Sequence, residues 1–177
     1  MANVNVTNFV NEGTYSSTDF MGYTFVPNGN VNVTLVTKIA AVSPVRARIL
    51  DSSYNELVAA NFSGNTATFA SPYAVVSGTT YRVVVDSSGS SFTASYKNDY
   101  NLPSNNTDLN FTAITYYNGT WHTNTSGSPI SGIESLTTDV SASGPANLKS
   151  YNTNLKANVK SMNTNLIANV KSFDTNV

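Results

Sequence analysis

Cysteine is absent from this 177-residue chain, which excludes disulfides, thiol catalysis and thiolate metal sites. Charged residues are also scarce, at 11% of the chain, with 9 Lys and Arg against 10 Asp and Glu, too few positive charges to neutralise many phosphates. No apolar run is long enough to span a bilayer, and the first ten residues lack a signal-peptide pattern. We therefore expect no nucleic-acid partner and no membrane insertion.

The polar part of the chain consists mainly of Asn, Ser and Thr, with 25 asparagines, a type that favours turns over helices. The hydrophobic fraction of 40% is enough to form a core. Charge is distributed unevenly, because residues 1–146 carry a net charge of −4 and residues 147–177 a net charge of +3. Ser-Ala-Ser-Gly-Pro at 141–145 is typical of a linker. We predict an N-terminal arm or first strand at 1–18, a β-sandwich domain at 19–143 and a repeat stem at 144–177.

The sandwich prediction comes from short segments that alternate apolar and polar residues between turn clusters. Nine such segments follow one another at roughly ten-residue spacing, which is the signature of a β-sandwich or jelly roll. No part of this region has helical periodicity, so the predicted fold class is all-β. The predicted strands are 20–26, 30–36, 45–50, 54–62, 66–70, 80–85, 91–96, 109–117 and 133–140.

The C-terminal region contains an eleven-residue repeat. Lys149-Ser-Tyr-Asn-Thr-Asn-Leu-Lys-Ala-Asn-Val159 is followed by Lys160-Ser-Met-Asn-Thr-Asn-Leu-Ile-Ala-Asn-Val170 and by Lys171-Ser-Phe-Asp-Thr-Asn-Val177. Recurrence of the same residue types indicates that each unit meets the same surroundings, as in a stacked or fibrous element.

The conformation of the repeat has two interpretations. Its bulky apolar residues recur at intervals of three and four, which is the eleven-residue stripe of a right-handed coiled coil. The recurring Asn and Thr disfavour a helix interior, so we favour short β-segments with turns and keep the helical coiled coil as the alternative. Neither form buries the stripe within one chain, so we expect an assembly interface with other copies, most simply in a trimer, or with another protein. The predicted interface residues are Leu148, Tyr151, Leu155, Val159, Met162, Leu166, Val170 and Phe173.

Enzymatic chemistry has little support in the sequence. His122 is the single histidine, and no Gly-x-Ser-x-Gly elbow is present to hold a nucleophile. Asp51, Asp86, Asp99 and Asp108 lie in predicted turns, where a carboxylate caps its own backbone. We expect a protein that is not an enzyme, with no cofactor and no metal site.

One aromatic segment has the residue types of a sugar-binding site. A sugar ring packs its C–H face on a flat aromatic side chain, with polar groups nearby for its hydroxyls. Tyr116, Tyr117, Trp121 and His122 combine these features within one predicted exposed turn, so we take them as candidate glycan-binding residues. The alternative is that the tyrosines fill the core while Trp121 closes one end of the sandwich.

The repeat motif, Lys-Ser-[Tyr/Met/Phe]-Asn-Thr-Asn-Leu-x-Ala-Asn-Val, resembles the eleven-residue tandem repeats of virion structural proteins of tailed bacteriophages. Residues 46–69 and 80–91 are similar to the carbohydrate-binding-module-like β-sandwiches that accompany such repeats. The resemblance implies a fibre, head decoration or tail appendage on the surface of the virion, made in the host cytoplasm and assembled with other virion proteins. The alternative function is that of a receptor module that binds host surface glycans.

Overall fold

The computed structural model describes residues 2–5, 13–17, 19–96, 104–105, 107–125 and 132–140. The chain divides into two units, Met1–Val140 and Ser141–Val177, and all described residues belong to the first. The predicted repeat stem, with its choice between β-segments and helix and its eight interface residues, lies outside the described residues. Those expectations therefore stay predictions.

Between their turns and loops the described residues form β-strands and no helix, which confirms the predicted all-β class. Accordingly, these ranges contain no helix that is long and apolar enough to cross a membrane. In chain order the strands are β1 Ala2–Asn5, β2 Gly13–Ser17, β3 Met21–Pro27, β4 Val31–Lys38, β5 Arg46–Leu50, β6 Glu56–Ser63, β7 Thr66–Val75, β8 Tyr81–Asp86, β9 Phe92–Tyr96, β10 Ser104–Asn105, β11 Leu109–Asn118, β12 Thr120–Asn124 and β13 Ile133–Val140.

Eleven of these strands form one antiparallel sheet in the order β1-β13-β4-β7-β6-β5-β8-β3-β11-β10, with β12 paired to β11. Strands β2 and β9 form a separate antiparallel pair. Strand β6 joins the two parts of the large sheet. It pairs with β5 along most of its length, but with β7 only through Phe62 and Ser63. The part that contains β1, β13, β4 and β7 and the part that contains β6, β5, β8, β3, β11, β10 and β12 are therefore hydrogen-bonded to each other only next to the β6–β7 turn.

One hydrophobic cluster contains residues from both parts of the sheet. Tyr23 and Phe25 on β3 and Phe111 on β11 are fully buried, as are Val33 on β4 and Leu136 on β13. The ring centroids of Tyr23 and Phe111 lie 6.0 Å apart at 74°. A shared core between two parts of one antiparallel sheet is consistent with a β-sandwich.

Strand β8 is the most deeply buried of the predicted strands. All of its residues, from Tyr81 to Asp86, are buried, so both faces of the strand are covered. The neighbouring β3 is also closely packed, because a Cβ added to Gly22 would lie 1.8 Å from the carbonyl oxygen of Val83. Only glycine therefore fits at this position without movement of the β8 backbone.

Each of the nine predicted strands corresponds to an observed strand, with boundaries that shift by a few residues. Ala2–Asn5 and Gly13–Ser17 lie within the segment 1–18, for which the sequence predicted an arm or a first strand without strand bounds. The sequence interpretation missed Ser104–Asn105 and Thr120–Asn124. Both are short and consist mainly of polar residues, so they lack the alternating apolar residues that indicate a strand.

Candidate functional site

The candidate glycan-binding residues lie on a tight hairpin rather than in the exposed turn that we predicted. Strands β11 and β12 pair from Ile114 and Asn124 to Asn118 and Thr120, which leaves Gly119 at the tip. Gly119 has a φ of +68°, a conformation that glycine adopts without strain. Asn118-Gly119 is a hairpin signal that could have indicated this turn from the sequence.

The hairpin separates the four candidates into two pairs. Tyr117 faces Trp121 across the strands, and Tyr116 faces His122. Because successive side chains of a strand point to opposite faces, the two pairs lie on opposite faces of the hairpin. The structure therefore does not bring the four side chains together into a single platform.

The Tyr116–His122 pair lies on the core side of the hairpin. Tyr116 is half-buried and packs against the hydrophobic cluster, and the exposed His122 ring stacks on it with centroids 4.9 Å apart at 16°. Nε2 of His122 lies 3.1 Å from Oγ1 of Thr120. These contacts agree with the alternative interpretation, in which tyrosines of this segment contribute to the packing.

The opposite face carries a larger group of rings. Trp121 stacks on Tyr54 with centroids 4.6 Å apart at 14°, and it meets Tyr117 edge-on at 5.3 Å. The ring of Phe20 lies 5.5 Å from Trp121 and 6.1 Å from Tyr117. We call Phe20, Tyr54, Tyr117 and Trp121 the aromatic cluster. All four are half-buried, so each keeps part of its surface exposed.

Tyr54 reaches the aromatic cluster from the turn between β5 and β6. Asp51 Oδ1 accepts hydrogen bonds from the backbone amides of Ser53, at 2.7 Å, and Asn55, at 2.9 Å, and Oδ2 accepts one from the Asn55 side chain at 2.9 Å. The hydrogen bonds from Asn55 lower the pKa of Asp51. Within this closed turn Tyr54 has a φ of +66°, which few non-glycine residues adopt.

The guanidinium of Arg82 lies over the other face of Tyr54. Its central carbon is 3.8 Å from the ring centroid, and Nη1 donates a 2.8 Å hydrogen bond to the carbonyl oxygen of Asp51. The Arg82 guanidinium and the Trp121 ring each lie in contact with the Tyr54 ring, and one face of that ring has no room for both. Tyr54 therefore lies between a cation and an indole, an arrangement that adds cation–π attraction to aromatic stacking.

A second arginine borders the aromatic cluster at Phe20. The guanidinium carbon of Arg48 lies 4.9 Å from the Phe20 centroid. Arg48 also pairs with Asp86 at 2.7 Å and with Glu56 at 2.6 Å. Although burial disfavours its charged form, the hydrogen bond and charge of Asp86, together with Glu56, raise the pKa of Arg48. Glu56 in turn bonds Arg46 at 3.1 Å, which extends the charged network to the exposed side of the sheet.

The sequence interpretation missed Phe20, Tyr54 and the arginines as neighbours of Trp121. The Asp51-Ser-Ser-Tyr-Asn55 turn was visible, but nothing local indicates which strand its tyrosine contacts. Within the described ranges, no three His, Asp or Glu side chains come together as metal ligands would. The predicted turn carboxylates Asp51 and Asp86 each accept a hydrogen bond from a backbone amide two residues ahead, in the capping role that we expected. Asp99 lies outside the described residues.

The arrangement places apolar ring surface beside charged hydrogen-bonding groups. The aromatic cluster offers partly exposed apolar ring surface, and the adjacent charged network offers donors and acceptors in fixed positions. Such a combination fits a polyhydroxylated ring with one apolar face. In comparisons with known proteins, no family model matches this chain, and no curated protein matches it either.

Proposed function

We propose that this protein is a non-enzymatic structural component of a bacteriophage virion, with a β-sandwich or jelly-roll head and a C-terminal repeat stem that assembles it into the particle. The observation that carries the proposal is the eleven-residue repeat of 149–177, whose residue pattern resembles virion tandem repeats. The all-β architecture of the described unit and its shared core support the proposed head.

The physical reason for assembly is the apolar stripe of the repeats. Two and a half eleven-residue units present one bulky apolar residue every three or four positions and have too few elements to bury them internally. Association with copies of the same stripe removes this surface from water, and a trimer is the simplest closed arrangement. Other virion proteins would provide the remaining contacts at the particle surface.

Analytical ultracentrifugation tests this assembly. We expect the full-length protein to sediment as an oligomer and a chain that ends at Ser143 to sediment as a monomer. A full-length variant with Leu155→Asn and Leu166→Asn should also dissociate, whereas the matched control Lys156→Asn and Ile167→Asn, which changes positions outside the stripe, should stay oligomeric. A monomeric full-length protein would contradict assembly through the repeats.

A second candidate function, glycan recognition on the host surface, is favoured by the aromatic cluster beside its charged network. Trp121→Ala should abolish binding to host cells or to a glycan array, because it removes the largest ring of the cluster. His122→Ala changes an exposed ring on the opposite face of the same hairpin and serves as the control. If Trp121→Ala retains full binding, the cluster is not the glycan platform.

A further inference from the structure

All three arginines of the chain lie on one face of the sheet. Arg46 and Arg48 are two residues apart on β5, so their side chains point the same way. They pair in register with Asp86 and Val84 of β8, and Arg82 is two residues from Val84 on that strand. The chain contains no other arginine, and this face is also the one that carries the aromatic cluster.

This face holds most of the positive charge of a negative part of the chain. Its three arginines face three carboxylates, because Glu56 and Asp86 pair with Arg46 and Arg48 and the charge of Arg82 acts on Asp51, so the face is close to neutral, whereas residues 1–146 as a whole carry a net charge of −4. The three guanidinium groups differ in how accessible they are to a ligand. Arg82 is covered by Tyr54 and Arg48 is held between two carboxylates, but the Arg46 side chain is 32% exposed.

Arg46 is suited to bind an anion. A guanidinium has five N–H donors in a planar fork, and among the described residues Arg46 uses one nitrogen, Nη2, to bond Glu56. The fork matches the paired oxygens of a carboxylate or phosphate. Its cross-strand neighbour Asn61 is exposed and adds an amide at the same edge.

The distance across the face sets the size of the ligand. From Arg46 on β5 the sheet continues through β8, β3 and β11 to Trp121 on β12. Four steps between neighbouring strands at about 4.8 Å each place the two backbones about 19 Å apart, and the stacking of Trp121 on Tyr54 brings the indole closer to β8 and β5 than its own strand is. The path between the two ends runs over Phe20, 5.5 Å from Trp121 and 4.9 Å from Arg48, so a ligand that contacts both Trp121 and Arg46 is longer than one sugar ring.

We infer that this face binds an acidic oligosaccharide, with sugar rings packed on the aromatic cluster and a carboxylate or phosphate on Arg46. The inference rests on the second candidate function proposed above, since it names the ligand class of the same surface. Charge complementarity at Arg46 supplies selectivity, and the aromatic cluster supplies contact area.

A glycan array of matched pairs tests the inference with the full-length protein. Each uronate, sialylated or phosphorylated oligosaccharide is printed beside its neutral counterpart, which is carboxyl-reduced, desialylated or dephosphorylated. We expect at least one acidic member to bind about tenfold more tightly than its neutral partner. The pair that shows the preference distinguishes carboxylate from phosphate, and the preference should weaken as salt is raised.

Variants then locate the preference. Arg46→Gln should reduce affinity for the preferred acidic glycan about fivefold or more and affinity for its neutral partner by a smaller factor, so that the acidic preference falls. Lys149→Gln removes the same charge from the repeat segment and should change neither the affinity for the acidic glycan nor the affinity for its neutral partner. Equal binding of acidic and neutral partners, or an acidic preference that survives Arg46→Gln, overturns the inference but leaves glycan recognition standing. Absence of binding to every glycan overturns both.

Discussion

The indole of Trp121 stacks on the phenol ring of Tyr54, with ring centroids 4.6 Å apart and planes 14° from parallel. Tyr54 Oη also lies 3.3 Å from Oγ1 of Thr123 on the same strand as Trp121. This contact joins the β5–β6 turn to the β11–β12 hairpin. It positions the single tryptophan of the chain, so intrinsic tryptophan fluorescence reports directly on the stack.

Replacement of Tyr54 tests the stack and the backbone strain together. Tyr54→Ala loses the contacts to Trp121 and Arg82, each of which stabilises by about 1 kcal/mol, so the free energy of unfolding should fall by about 2 kcal/mol. Tyr54→Gly loses the same contacts but relieves the positive φ, so it should be about 1 kcal/mol more stable than Tyr54→Ala. Urea denaturation followed by tryptophan emission measures both. An alanine variant as stable as the glycine variant would contradict the strain argument.

The two carboxylates that pair with Arg48 should differ in importance. The Asp86 side chain is 3% exposed and that of Glu56 is 38% exposed. Asp86→Asn leaves Arg48 without its buried counter-charge, and we expect a loss of about 3 kcal/mol in the free energy of unfolding. Glu56→Gln removes the same charge at the surface and should cost less than about 1 kcal/mol. Equal losses in chemical denaturation would show that burial does not decide the strength of this network.

Gly22 should tolerate no side chain. An alanine Cβ there would lie 1.8 Å from the carbonyl oxygen of Val83, and the obstacle is backbone that the sheet holds in place. We expect Gly22→Ala to lower the free energy of unfolding by at least about 3 kcal/mol or to prevent folding. Gly29→Ala is the matched control, because no atom lies within 4 Å of its added Cβ. Similar thermal midpoints for the two variants would contradict the close packing of β3 on β8.

The Asp51 turn predicts a pH dependence. The hydrogen bonds from Asn55 hold the pKa of Asp51 below its ordinary value of 3.8, so the unfolded chain binds the proton more readily than the folded chain. The resulting stabilisation is complete above that ordinary value and is lost as the pH falls through the lower, folded pKa.

Comparison of wild-type protein with Asp51→Asn over acidic pH measures this effect. The stability difference between them should be constant near neutrality and should shrink as the solution is acidified. Asn55→Ala should reduce the acid dependence, since it removes a hydrogen bond from the carboxylate. Ser52→Ala, an exposed change in the same turn, should follow the wild-type curve. A difference that stays constant down to strong acid would rule out Asp51 as a source of the dependence.

Strand positions were largely predictable because the signal is local. In β4, Val31 and Val33 are buried while Asn32 and Thr34 are half-exposed, the alternation that predicted a strand with one wet face. The pattern shifts after Thr34, where the pairing with β7 also changes register. Thr120–Asn124 shows no such alternation, and its pairing with β11 became visible only in three dimensions.

The candidate site was predictable only in part. Tyr117 and Trp121 belong to one surface, as expected, but Tyr116 and His122 lie on the opposite face because their segment is extended rather than a turn. Tyr54, which gives Trp121 its parallel stacking partner, comes from a turn that is distant in the sequence.

The amino-acid sequence alone determined that the described part of this chain is all-β and where most of its strands lie. The reason is that the alternation of apolar and polar side chains in a strand depends only on consecutive residues. The sequence also carries the eleven-residue repeat on which the proposed assembly depends. Only the tertiary structure decided that three arginines and four aromatic rings share one face. Their proximity depends on which strands pair and in what register, and those contacts join residues far apart along the chain.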